Sequence, residues 1–223
     1  MGDSMSLVLS GDTSGTITLD VPAVAGTNTL TLPASTGTVV LDSATQTLTN
    51  KTLTSPVIGG TPTGVGVLTS GTSIASTSGT SIDFTSIPSW VKRITVLLNG
   101  VSTNGTSVVQ VQLGDSGGVE TTGYLTAVGL ISSANNTTRY ANYTTGFATA
   151  HGGASADVWR STMIFNYFGS NIWVGTGTSY NSADSISMAS GTKTLTDTLD
   201  RVRITTVNGT DTFDAGSVNI LYE

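Results

Sequence analysis

The chain contains no cysteine and one histidine, His151, in 223 residues. A disulfide framework, a thiolate metal site and a cysteine nucleophile are therefore excluded. Charge is scarce as well. Eight Lys and Arg stand against fourteen Asp and Glu, a net charge of −6, and charged residues are 10% of the whole. So few cations argue against nucleic-acid binding, which needs clustered Lys and Arg. Two Glu and three Lys leave little from which to build a long helix. No apolar run approaches the length of a membrane-spanning helix, so no membrane insertion is expected. The first residues, Met1-Gly2-Asp3-Ser4-Met5, carry an acid where a secretion signal carries basic residues, and no signal peptide is expected.

What is abundant is Thr (42), Ser (28) and Gly (27). β-Branched Thr with 37% apolar residues predicts an all-β protein and argues against charge-driven disorder.

Aromatic residues are missing from one region. All fourteen Phe, Trp and Tyr lie at or beyond Phe84. Without its largest apolar side chains, the first third of the chain lacks the means for a core of its own. Its pattern is still β-like: Thr16-Ile17-Thr18-Leu19-Asp20-Val21 and Thr29-Leu30-Thr31-Leu32 alternate, and Thr38-Val39-Val40-Leu41 is a third β-prone run. Pro22, Gly26, Pro33 and Gly37 punctuate these runs. Such strands could bury their apolar faces by pairing with other copies of the chain, as a homotrimeric shaft or collar. A flexible linker is the alternative.

Three regions are expected: 1–58, a shaft and attachment region; 59–81, a Gly/Ser/Thr-rich hinge; and 82–223, an antiparallel β-sandwich of jelly-roll kind. In the last region Ile94, Val96 and Leu98 share a face, as do Val109, Val111 and Leu113, and Val202 and Ile204; Val218, Ile220 and Tyr222 close the chain. Asn99-Gly100, Asn104-Gly105 and Asn208-Gly209 read as hairpin turns.

Two stretches resemble a known class. Asp42-Ser43-Ala44-Thr45-Gln46-Thr47-Leu48-Thr49-Asn50-Lys51-Thr52-Leu53-Thr54-Ser55-Pro56 resembles an element common in bacteriophage tail fibres and related virion proteins. Trp90–Ile94, Gly100–Thr106 and Phe213–Glu223 look like the terminal β-domain of many such fibres. The resemblance implies a homotrimeric receptor-binding protein located in the virion, in the tail or tail tip. Its N-terminal region would contact other virion proteins, and its distal domain a host cell-surface glycan or protein. The chain is short for a long fibre, so a short tail fibre fits best. A head fibre, capsid decoration or collar protein is the alternative. No enzymatic activity and no cofactor are expected.

Several motifs compete with that reading. Gly114-Asp115-Ser116-Gly117-Gly118 matches the pentapeptide around a trypsin-like nucleophile, but the His and Asp motifs of that family are missing and His151 follows the Ser. A turn after the strand Val108–Leu113 is the simpler reading. His151, lacking a second ligand at metal spacing, is a weak metal candidate and otherwise a solvated loop residue. Asp197, Asp200, Asp211 and Asp214 cluster in sequence, but strand alternation would separate them, and paired carboxylates for glycan cleavage are not expected. Trp159, Phe165, Tyr167, Phe168 and Trp173 are expected in the core. The receptor-binding candidates are Arg139, Tyr140, Asn142 and Tyr143, following the polar run Ser132–Thr138, which reads as a loop. Tyr offers rigid amphipathic contact area and Asn adaptable hydrogen bonds.

Overall fold

A computed structural model describes residues 7–10, 14–19, 52, 54, 68–132, 137–150, 153, 155, 157–181 and 185–223. The chain divides into two compact units, Met1–Val57 and Ile58–Glu223. In the first, β1 (Leu7–Ser10) pairs antiparallel with β2 (Thr16–Leu19), Leu7 opposite Leu19 and Ser10 opposite Thr16. The runs at 29–32 and 38–41, which carry most of the shaft expectation, lie outside the described residues.

The second unit is entirely β among its described residues. Its strands are β3 (Thr69–Ser70), β4 (Ile74–Ala75), β5 (Ser81–Phe84), β6 (Arg93–Thr103), β7 (Val109–Asp115), β8 (Gly118–Val119), β9 (Tyr124–Ser132), β10 (Thr137–Tyr143), β11 (Phe147–Ala148), β12 (Trp159–Gly169), β13 (Ile172–Asn181), β14 (Ser185–Thr194), β15 (Leu199–Thr206) and β16 (Phe213–Tyr222). They form two antiparallel sheets. The larger runs β10-β9-β14-β13-β12-β6-β16, with β3 and β4 both along the outer side of β16. The smaller runs β11-β7-β15-β5, with β8 folded back on β7.

The sandwich follows from alternation. In β12, Trp159, Ser161, Met163 and Phe165 are buried while Arg160, Thr162 and Asn166 are exposed. In β6, Ile94, Val96 and Leu98 face in; in the small sheet, Val111, Leu113, Val202, Ile204, Ile82 and Phe84 answer them across one continuous core. Phe147 of β11 joins the layers, its ring edge-on to Tyr124 of β9 at 5.4 Å and to Phe165 of β12 at 4.8 Å. Each such side chain contributes about 1.5–3 kcal/mol on burial.

The expected jelly roll holds only as far as two packed antiparallel sheets. β12, β13 and β14 follow one another as a meander within the large sheet, whereas a jelly roll is built from two Greek keys. The turn residues also differ from expectation. Asn99 and Gly100 do not make a hairpin; they lie inside β6, where Gly100 takes a φ of +67° at an irregularity in the pairing. Gly216 of β16 faces it with φ +92°, and a Cβ there would stand 2.4 Å from the Gly100 carbonyl carbon. The two glycines form a close crossing that bends both strands. The Asn104-Gly105 and Asn208-Gly209 turns pass between sheets, from β6 to β7 and from β15 to β16. A tight hairpin stands instead at Ser170-Asn171 between β12 and β13, both residues at positive φ.

Within the segment 59–81, residues Thr69 to Ser76 are fastened to the last strand. Ser76 is fully buried, and its hydroxyl donates to the Ala215 carbonyl at 2.7 Å.

Candidate functional site

Residues directly opposite one another on paired strands share a face. One row across the outer face of the large sheet therefore reads Tyr140, Gly129, Met188, Thr178, Thr162, Leu97. The next reads Thr138, Ile131, Ile186, Tyr180, Arg160, Asn99. This solvent-facing surface is not uniformly polar. Tyr140 is 79% exposed and Leu125 75%, while Ile131, Tyr180, Ile186 and Met188 lie between 44% and 56%. Five of these, Tyr140, Ile131, Tyr180, Ile186 and Met188, fall in the two adjacent rows on β9, β10, β13 and β14, while Leu125 stands apart opposite Thr192. Contiguous exposed apolar patches beyond a few hundred Å² mark interaction sites on soluble proteins.

The patch arises because β14 reverses the usual alternation. In Ser185-Ile186-Ser187-Met188 the two serines are buried and Ile186 and Met188 are exposed. Gly129, between Tyr140 and Met188, has open space where a Cβ would stand, so a gap separates the two ridges. Beside the patch a shallow depression of about 480 Å³ opens over Leu97, Asn99, Arg160, Thr178, Tyr180 and Ile186. Among the described residues, Arg160 is the one charged side chain in this part of the face; the ion pair between Arg93 and Glu223 at 3.0 Å stands at its far end.

The four receptor-binding candidates lie on β10, the edge strand of the large sheet, and not in a loop. Strand alternation separates them. Tyr140 and Asn142 share the outer face with the apolar patch, opposite Gly129 and Ala127. Arg139 and Tyr143 occupy the other face of the strand, with Arg139 exposed. Tyr143 is half-buried against the core, and burial pushes its phenol above the ordinary value. The flanking residues 133–136 and the metal candidate His151 lie outside the described residues. Among the described residues, no group of three His, Cys, Asp or Glu could hold a metal ion, and no helix is long and apolar enough to cross a membrane.

The competing motifs have structural roles. Asp115-Ser116-Gly117-Gly118 is the tight turn from β7 into β8: Asp115 Oδ1 accepts the Gly117 N–H at 2.9 Å, and Ser116 is exposed. The four clustered acids are dispersed. Asp197 accepts the Thr198 N–H, Asp200 forms a two-bond pair with Arg201, Asp211 accepts the Ser107 N–H at 2.8 Å, and Asp214 accepts the Ser102 hydroxyl. Of the five aromatics expected in the core, Trp159, Phe165 and Trp173 are buried and Tyr167 partly so, stacked near Trp173 with the Lys92 ammonium 4.3 Å from its ring centre. Phe168 is the correction: it is exposed at the end of β12, where the register shifts between Tyr167 and Gly169.

No family model matches the chain, and neither a curated protein nor a solved structure matches it.

Proposed function

We propose that the chain is a structural and adhesive phage virion protein, a homotrimeric short tail fibre. In this reading its β-sandwich unit meets a host cell-surface protein or glycan, and its N-terminal unit contacts other virion proteins. The observation that carries the reading is the exposed apolar and aromatic patch on the outer face of the large sheet, with Tyr140 and Asn142 at its edge. A rigid sheet face holding Tyr, Ile and Met in fixed positions binds with little loss of side-chain freedom. Three copies per fibre would multiply a weak contact by raising the effective concentration of the second and third. The resemblance of Asp42–Pro56 to a tail-fibre element supports the virion setting.

The test is competition. Full-length protein added in excess should reduce adsorption of the phage to its host, and Tyr140→Ala combined with Met188→Asp should abolish the competition. Unchanged adsorption at saturating protein would remove the adhesive reading.

A second reading, a head fibre, capsid decoration or collar protein, is favoured by the aliphatic half of the same patch. Ile131, Ile186 and Met188 suit packing against another protein better than they suit a saccharide. Labelled protein located on the capsid of intact particles would select it over the tail fibre.

A further inference from the structure

One polar cluster, buried at Lys193 and Asp115, joins the two sheets and has no part in the adhesive face. Lys193, near the end of β14, is 5% exposed, and its ammonium meets a carboxylate oxygen of Glu120, the residue that follows β8. Glu120 is itself 19% exposed. The Tyr124 ring walls the pair, its centre 5.2 Å from Lys193 Nζ. The other Glu120 oxygen, Oε1, accepts the Thr196 N–H at 2.7 Å and faces the Thr196 hydroxyl at 3.0 Å. A second carboxylate, Asp115, is 3% exposed and within hydrogen-bonding reach of Glu120. It faces the same hydroxyl at 2.7 Å and accepts the Asp197 N–H at 2.9 Å.

The Lys193 ammonium thus meets the Glu120 carboxylate, and the Thr196 hydroxyl stands between Glu120 and Asp115. The several donors around Asp115 favour its charged form. A proton moved from Lys193 to Glu120 turns the ion pair into an amine beside a neutral carboxyl, the electrophile that amide formation needs.

We propose that Lys193 and Glu120 join in an intramolecular isopeptide bond. Lys193 Nζ, having passed a proton to Glu120, attacks its Cδ. Charge develops on Oε1, where the Thr196 N–H already points, as a backbone donor does in an oxyanion site. The Cδ–Oε2 bond breaks, and Oε2 leaves as water with two protons that began on the ammonium. Overall, ammonium and carboxylate become amide and water, with no oxidant, reductant or cofactor. Asp115 is a positioning residue: by accepting the Thr196 hydroxyl and the Asp197 N–H it fixes the segment whose Thr196 N–H faces Oε1. In bulk water the balance lies against condensation, but groups fixed in contact reach effective molarities of about 10⁵–10⁸ M. The bond would lock β14 of the large sheet to the β8 corner of the small one, a covalent tie in a chain without cysteine.

Intact mass of the denatured full-length protein tests this directly and does not depend on any variant folding. The expected mass is that of the sequence less one water. Trypsin should fail to cut after Lys193 and should release a branched peptide joining residues 94–139 to 161–201. Lys193→Arg and Glu120→Ala should each restore the full mass. Asp115→Asn should slow formation of the link during refolding, read as a mixture of the two masses at early times. A wild-type mass equal to the sequence, with normal cleavage after Lys193, would overturn the proposal. So would a lost water mapped to any other pair.

Discussion

Tyr124 ties both sheets together through one hydroxyl. It accepts the Leu113 N–H at 2.8 Å and donates toward the Glu120 carbonyl at 2.8 Å, from a ring with no exposed surface. Tyr124→Phe keeps the ring and strands those two backbone groups, so chemical denaturation should show a loss of about 1–3 kcal/mol. Glycines divide by what surrounds them. A Cβ at Gly175 would stand 2.7 Å from the Phe147 ring and 2.8 Å from Phe165, whereas one at Gly129 meets nothing. Gly175→Ala should therefore cost about 1–3 kcal/mol through overpacking, and Gly129→Ala should leave the unfolding midpoint unchanged within error. Asp115 sets an acid limit. The hydrogen bond from Thr196, with further help from the Gly117 and Asp197 N–H groups, holds its pKa below the ordinary 3.8. A folded pKa below the unfolded one stabilises the native state fully above the unfolded value, and that stability is lost as pH falls through the folded value. Unfolding midpoints measured downward from neutral pH should hold until about pH 4 and then decline, and Asp115→Asn should flatten that decline.

At the scale of elements, the outer face of β9, β10, β13 and β14 separates stability from interaction. Ile131→Asp with Met188→Asp alters side chains that are already half-exposed, and such changes usually move stability by less than about 0.5 kcal/mol each. The expected outcome is an unchanged circular dichroism spectrum and unfolding midpoint together with lost competition for adsorption. A collapse of the fold would mean that these residues serve the core. The core-facing positions of β6, β7, β15 and β16 are readable from the sequence, because Ile94-Val96-Leu98 and Val109-Val111-Leu113 alternate with their large side chains inward. β14 is not readable in that way. Ser185-Ile186-Ser187-Met188 carries the same period, and period alone places the serines outside; which face meets the second sheet is a tertiary fact. The candidate site was legible in part for a related reason. The composition of Arg139–Tyr143 singles out an aromatic, amide-rich segment, but a strand sends Tyr140 and Tyr143 to opposite faces where a loop could present both. The Asn99-Gly100 signal failed differently. Asn-Gly marks a site that tolerates positive φ, and Gly100 uses that tolerance for a bend inside a continuous strand and not for a reversal.

For the whole molecule, the uneven placement of aromatics makes the two units separable by experiment. Among the described residues, the buried apolar cluster runs from Ile82 to Ile220, within Ile58–Glu223. All three Trp and all six Tyr lie at or beyond Trp90, so intrinsic fluorescence reports on that unit alone. A core whose described members all lie beyond residue 57 should fold without residues 1–57. A chain comprising residues 58–223 should therefore unfold in denaturant with the same fluorescence midpoint and the same slope as the full-length protein, since the slope follows the surface that the transition exposes. A midpoint shifted down in the truncated chain would mean that the N-terminal unit stabilises the sandwich. The strands that end this unit make the cut position informative as well. Thr69–Ser70 and Ile74–Ala75 pair with β16, and Ser76 is buried against it. A chain beginning after Ser76 would bare one side of β16 and leave the Ala215 carbonyl without its partner. Truncation at residue 58 should be silent, and truncation at residue 77 should lower the midpoint and promote association through the exposed strand edge, detectable by light scattering.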